Sequence, residues 1–298
     1  MKSALLVMSY GTPERLEDVA AYYTHIRRGA PPPPELLHEL VERYRAVGGP
    51  TALNRITRDQ AAGIERALAA RGARVPVYTG FKHVAPFIGE TVKRMAAEGI
   101  GRVVGLVLAP HYSLRSIAEY ARYAEEARPE EIELHVIRSW HDHRGFVDFL
   151  AQRLQQALAR SGRDPCVVFT AHSVPRRAIE QGDPYPEQLR ETCTLLAARV
   201  GLPRWELAFQ SAGRTADPWM GPDILDVIAR LADAGERSVV VQAIGFVADH
   251  LEILYDLDLE ARRVAESRGL SFTRAEMPNL APRFIDALAD VALDALRL

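Results

Sequence analysis

Cysteine is nearly absent: Cys166 and Cys193 are the two in 298 residues. Two thiols cannot build a disulfide scaffold or a cysteine-rich zinc or iron–sulfur site, and their scarcity favours a reducing cytoplasm. Neither sign of charge prevails. The 37 Lys and Arg stand against 39 Asp and Glu, a formal net charge of −2, which argues against a nucleic-acid groove as the main business of the protein. Long hydrophobic runs are missing. The longest, residues 103–110, falls far short of the ~18–20 residues that span a bilayer. The run at residues 4–8 is too short for a signal-peptide core and lacks a small-residue cleavage pattern; it reads better as a first buried strand. No G-x-G-x-x-G follows a strand, and neither the Walker pattern nor the G-x-S-x-G elbow occurs, so the usual nucleotide and serine-hydrolase fingerprints are excluded. What is present is ordinary globular composition, 48% apolar and 26% charged, enough for a sizeable core and too apolar for disorder. The length fits one large domain or two ordinary ones.

Short apolar runs alternate with longer amphipathic stretches. Residues 4–8, 75–79, 103–108, 134–137, 167–170, 206–210, 238–243 and 271–274 are rich in Val, Ile and Leu without polar alternation, the pattern of parallel strands covered on both faces. Between them the pattern predicts helices. Thr57 and Gln60 have capping-box spacing, and residues 186–200 and 222–234 begin with Pro and stop at Gly201 and Gly235. The alternation predicts an α/β fold with helices on both faces. VGLVLAPHYS, VVFTAHSVP and VVVQAIGFVADH form a weak internal echo of strand then polar tip. Two halves of four strands each fit the length, at residues 1–142 and 143–298, with the last helix packing back on the first half.

In open parallel sheets ligands bind outside the carboxyl ends of the strands, so the tips are where chemistry is sought. His172 stands at one tip, as base, metal ligand or satisfied turn residue. Glu252, Asp256 and Glu260 recur at i, i+4 and i+8, on one face of a helix, as a solvated acidic face or as a row of hard oxygen ligands. Tyr10 follows the first strand, where it can stack on a flat ligand, present its phenol or serve as a rim tyrosine. Arg27 and Arg28 close an aromatic-rich stretch, and Arg43-Tyr44 repeats the combination of arginine with an aromatic; such forks grip carboxylates or are surface bases. His141-Asp142-His143 reads as a solvated turn, because adjacent side chains point apart.

Together, Tyr10-Gly11-Thr12-Pro13, YYTHIRRG at 22–29, Gly80-Phe81-Lys82-His83, Leu108-Ala109-Pro110-His111, Ala171-His172-Ser173, Gln210-Ser211, Asp217-Pro218-Trp219 and GFVADHLEILYD at 245–256 resemble the ferrochelatase family from one end of the chain to the other. The resemblance is greatest to the short coproporphyrin ferrochelatases of Gram-positive bacteria. It implies two Rossmann-like halves with a porphyrin cleft between them, and insertion of Fe2+ into coproporphyrin III; protoporphyrin IX, a cobalt or nickel chelatase, or a non-catalytic haem-binding protein are the alternatives. It implies His172 and Glu252 as the pair facing the metal, and Tyr10 as axial to the iron from the opposite face. Arg27, Arg43, Tyr44, Tyr120 and Thr51 (where relatives often carry Ser) become tetrapyrrole or propionate contacts, and Asp256 and Glu260 an outer metal path with weak affinity for Mg2+. No prosthetic group, iron–sulfur cluster, membrane span or membrane tail is expected. The expectation is a cytoplasmic monomer in transient contact with neighbouring haem-pathway enzymes.

Overall fold

The computed structural model describes residues 1–213 and 217–297. All eight apolar runs become strands: β1 (Ser3–Ser9), β2 (Val77–Phe81), β3 (Arg102–Val107), β4 (Glu133–Val136), β5 (Cys166–His172), β6 (Glu206–Gln210), β7 (Ser238–Ala243) and β8 (Ser271–Arg274). They form two separate four-stranded sheets, ordered β2-β1-β3-β4 and β6-β5-β7-β8, and every pairing is parallel. The second order repeats the first. Inner strands β1 and β7 are almost wholly buried, whereas β4 at an edge alternates exposed and half-buried. Helices cover both faces, which is why the inner strands carry apolar residues at consecutive positions.

The C-terminal helix, Pro282–Arg297, crosses to the first half and packs on the helix Leu53–Ala70. Contact is close enough that a Cβ on Gly63 would stand 3.0 Å from Ile285 Cγ2. Arg71 pins the same crossing to Asp286 at 2.9 Å and Asp290 at 2.8 Å. On another side, the helix Tyr185–Val200 meets the tips of the first sheet. Asp183 accepts from Ser113 Oγ at 2.7 Å and from the Leu114 N–H at 2.8 Å, and Gln188 Oε1 accepts from the Tyr112 N–H at 2.7 Å.

Local expectations fail in four places. Thr57 and Gln60 lie inside a helix that begins at Leu53, both fully buried, and Gln60 Nε2 donates to the Asn279 carbonyl at 2.8 Å. Pro222 precedes its helix, Ile224–Asp233, which Asp223 caps by accepting from the Leu225 N–H at 2.8 Å. His141 is no solvated turn residue: it is buried, its Nε2 2.9 Å from Glu191 Oε2 and its ring beside His111. The segment Ile253–Ala261, expected as α-helix, is wound with i→i+5 hydrogen bonds. Such wide turns are rare and are frequently found at functional sites.

Candidate active site

The chain runs from β1 to β2 on one side and to β3 on the other, and β5 stands in the same relation to β6 and β7. Tyr10 follows β1 and His172 ends β5, so both sit where strand order reverses and a crevice opens. Gly11 allows the chain to turn away at once. Its φ is +86°, and a Cβ there would meet Val84 Cγ2 at 2.5 Å.

Around His172 three ionisable groups meet. His172 Nδ1 hydrogen-bonds the Ser173 carbonyl, and His250 Nδ1 donates to the Ala248 carbonyl at 3.0 Å. Each backbone acceptor holds the proton on Nδ1 and turns Nε2 toward Glu252. The two Nε2 atoms lie 3.6 Å from different oxygens of that carboxylate. Burial pulls the His172 imidazole down, but the Glu252 charge outweighs it and holds the group above its ordinary value. Burial likewise pushes Glu252 up, and the two imidazoles outweigh it and hold the carboxyl well below the usual range. Phe246 packs on His250, ring centroids 4.5 Å apart, and Phe246 and Trp219 each stand 6.3 Å from the His172 ring.

The tip of the first sheet is built differently. Tyr10 is 40% exposed, its ring 4.4 Å from that of His83. Desolvation first, then the Glu252 and Glu119 charges, raises its phenol far above the ordinary value. Buried Lys82 pairs with Glu119 at 2.5 Å and stands 5.3 Å from the ring of buried Tyr120. Tyr44 is buried against Thr12 Oγ1 at 3.0 Å, and burial pushes its phenol up to about 12. Arg27 is exposed and has no ion pair among the described residues. Thr51 carries a buried hydroxyl without a hydrogen-bond partner among the described residues.

Arg43 crosses between the halves. It stacks over Tyr255 at 4.5 Å and pairs with Asp256, which also accepts from Ser211 Oγ. Burial is the main influence on Asp256 and holds it up to about 6, with Glu252 and Glu260 raising it and Arg43 and Ser211 lowering it. Glu260 lines the same small cavity as Arg43, Ser211 and Asp256. Among the described residues, no three His, Cys, Asp or Glu side chains are gathered into a group that could hold a metal ion.

A family model described as Ferrochelatase matches residues 2–296. The chain belongs to the ferrochelatase family. It is 43% identical over 309 residues to the coproporphyrin III ferrochelatase of Geobacillus sp. (strain WCH70), covering 100% of this chain and 99% of the relative. It is 42% identical over 304 residues to the coproporphyrin III ferrochelatase of Bacillus subtilis (strain 168), covering 99% and 98%. To the ferrochelatase of Thermus thermophilus it is 44% identical over 310 residues, covering 96% and 97%. The fold matches the sirohydrochlorin chelatase SirB from Bacillus subtilis subspecies spizizenii with a TM-score of 0.59 at 12% identity, covering 100% of this chain and 96% of that one. CbiX, the terminal enzyme for sirohaem biosynthesis in denitrifying bacteria, matches with a TM-score of 0.57 at 13% identity, covering 98% of each chain. At that identity the structures show the chelatase-type fold alone.

In this ferrochelatase-family chain the motif residues fall into three groups: His172 with Glu252, Arg43 with Asp256, and Tyr10 beside Lys82 and His83. His250 is the participant that sequence reasoning passed over, although it lies two residues before Glu252 in the same motif. Lys82 and Glu119 were also missed as a pair, because their partnership spans 37 residues of sequence.

Proposed function

We propose that this chain inserts Fe2+ into coproporphyrin III, that the macrocycle sits between halves 1–142 and 143–298, and that His172 and Glu252 act on its metal-facing side while Tyr10 stands axial on the other. The observation that carries the reading is the Glu252 carboxylate flanked by two imidazoles whose Nδ1 atoms are tied to backbone carbonyls. The Geobacillus and Bacillus relatives are named for that substrate.

Insertion must remove two pyrrole protons and strip water from the ion. In the resting pair His172 is protonated and Glu252 ionised. Fe2+ arriving at Glu252 repels the imidazolium and drives its proton off to solvent, which leaves His172 Nε2 to take one pyrrole proton and the Glu252 carboxylate to take the second as the ion passes to the porphyrin. Neutral imidazole also ligates Fe2+. An open, incomplete set of ligands suits an ion that must leave for the porphyrin; a closed site would retain it. Arg27 binds a propionate as a charge-assisted pair, joined by Arg43 when it exchanges Asp256 for substrate. Tyr44, Thr51 and Tyr120 complete the porphyrin contacts. Asp256 and Glu260 form the outer metal path, and the Arg43 and Ser211 contacts to Asp256 keep Mg2+ affinity there weak. Fe2+ is substrate, and no prosthetic group or iron–sulfur cluster takes part. No helix among the described residues is long and apolar enough to cross a membrane. We further place the chain in the cytoplasm, as a monomer that exchanges substrate and product with neighbouring haem-pathway enzymes.

The test is anaerobic mixing of the protein with Fe2+ and either coproporphyrin III or protoporphyrin IX, followed by the loss of the free-base spectrum. Faster loss with coproporphyrin III is expected. No loss, or preference for protoporphyrin IX, overturns the substrate assignment.

A further inference from the structure

Asn279 lies behind the loop that delivers His250 and Glu252, in the turn before the helix Pro282–Arg297. Its backbone is in the left-handed region, φ +44°, which Asn tolerates better than most residues. Both ends of its amide act on one neighbour. Oδ1 accepts from the Asp249 N–H at 2.9 Å, and Nδ2 donates to Asp249 Oδ2 at 2.7 Å. The Asn279 N–H donates to the Val247 carbonyl at 2.9 Å. Its own carbonyl accepts at 2.8 Å from Gln60 Nε2, which is fully buried on the helix Leu53–Ala70 of the first half. Asp249 Oδ1 takes a further bond from Arg274 Nη2 at 3.2 Å. Arg274 also grips Asp258, in the wide-turn helix, through Nε at 2.7 Å and Nη2 at 2.8 Å. The loop is thus clamped at Val247 and Asp249, the second immediately before His250.

We propose that Asn279 is a positioning residue for iron delivery: by clamping Asp249 it fixes the backbone that carries His250 and, two residues further on, Glu252. The inference rests on the reading of His172 and Glu252 as the insertion site. The two imidazole–carboxylate separations are 3.6 Å, too long for hydrogen bonds that would hold the geometry by themselves. Orientation must therefore come from the backbone beneath, and a displacement of about 1 Å costs on the order of 100-fold in rate. Of the groups proposed to hold porphyrin, Arg27, Tyr44 and Tyr120 lie on elements of the first half that Asn279 does not touch; its one bond to that half goes to Gln60, more than two turns beyond Thr51. Loss of the clamp therefore acts on iron and on turnover, and leaves porphyrin affinity alone.

Four proteins decide it: wild type, Asn279→Gly, Asn279→Asp, and the exchange Asp249→Asn with Asn279→Asp. Glycine keeps the positive φ and removes the amide. Asn279→Asp sets two carboxylates against each other, and the exchange restores a donor–acceptor pair with the polarity reversed. Kinetics are measured with Fe2+ and coproporphyrin III varied separately, beside thermal melts. For Asn279→Gly we expect the Fe2+ KM to rise and kcat to fall, each about tenfold, with the porphyrin KM within about twofold of wild type. Asn279→Asp should be slower still, and the exchange should return to within about threefold of wild type. A wild type that inserts no iron brings down the functional reading and this inference with it. An active wild type beside an Asn279→Gly with unchanged iron kinetics, or with both KM values raised alike, overturns the positioning role alone. If Asn279→Gly fails to fold, the contrast between Asn279→Asp and the exchange decides in its place, and equal iron kinetics in those two reject the clamp.

Discussion

The two halves share one strand order and differ in what they carry at the tips. After β1 and β2 come Tyr10, Lys82, His83 and the surrounding tyrosines, with Arg27 on the first half as well: rings, cations, and a Lys82–Glu119 pair that neutralises itself. After β5 and β7 come His172, Glu252 and Asp256, whose protonation is set by neighbouring charges and by burial, with His250 beside Glu252. A repeated backbone thus presents different side chains at its two sets of strand tips. In the proposed function these tips are the two walls of the cleft, the first gripping a flat anionic ligand and the second moving protons and a cation.

The comparison breaks most sharply at His172. His172→Ala should lower turnover by about 10³-fold, within the range of a lost general base, while porphyrin binding and circular dichroism stay at wild-type levels. Near-normal turnover would mean that the second wall is not the reactive one. A smaller effect is expected on the first wall. Arg27→Ala should raise the coproporphyrin III KM about tenfold with kcat little changed, since one charge-assisted contact contributes about 1.5–3 kcal/mol and binds ground and transition states alike. A fall in kcat at unchanged KM would erase the division between walls.

The smallest effect concerns Asp256, where the halves meet. Its folded pKa of about 6 lies above the ordinary 3.8. The folded chain therefore binds this proton more tightly than the unfolded chain does. Stability from this group is present below pH 3.8 and is lost as pH rises through about 6. At pH 7 Asp256 is an ionised, partly desolvated group. Asp256→Asn should then melt about 2–4 °C higher at pH 7, with the gain vanishing toward pH 4, and its Fe2+ KM should rise about threefold as the outer path loses a charge. Melting curves at the two pH values with an iron titration check this. A lower melting temperature at pH 7 would show that the Arg43 pair outweighs the burial of the carboxylate.

Much of this is legible in the residues alone. The eight strands are, because a strand buried on both faces must be apolar at every position, and that is a local property. Tyr10 and His172 at strand tips are legible for the same reason, since a run that stops being apolar marks where the chain leaves the sheet. Glu252, Asp256 and Glu260 are legible as a row but not as wide-turn helix: widening a turn leaves no signature in residue type. Arg43 has the chemistry of a carboxylate gripper, and it does grip a carboxylate, but the one it holds is Asp256, 213 residues away. His141 reads as part of a solvated turn because adjacent side chains point apart; Glu191, brought in by the helix Tyr185–Val200, supplies the partner it has in the fold.

Which segments are strands, and which ionisable residues stand near their ends, is legible in residue order, because burial and turn chemistry act over a few neighbouring residues; the exact ends are not, since β2 and β5 run two residues past the expected stops. The partnerships arise only in the folded chain. Glu252 between two imidazoles, Asp256 under Arg43, and Asp249 clamped by Asn279 and Arg274 are meetings of groups from separate elements. The charge state of each depends on distance and desolvation, which exist only once the two sheets have been brought together.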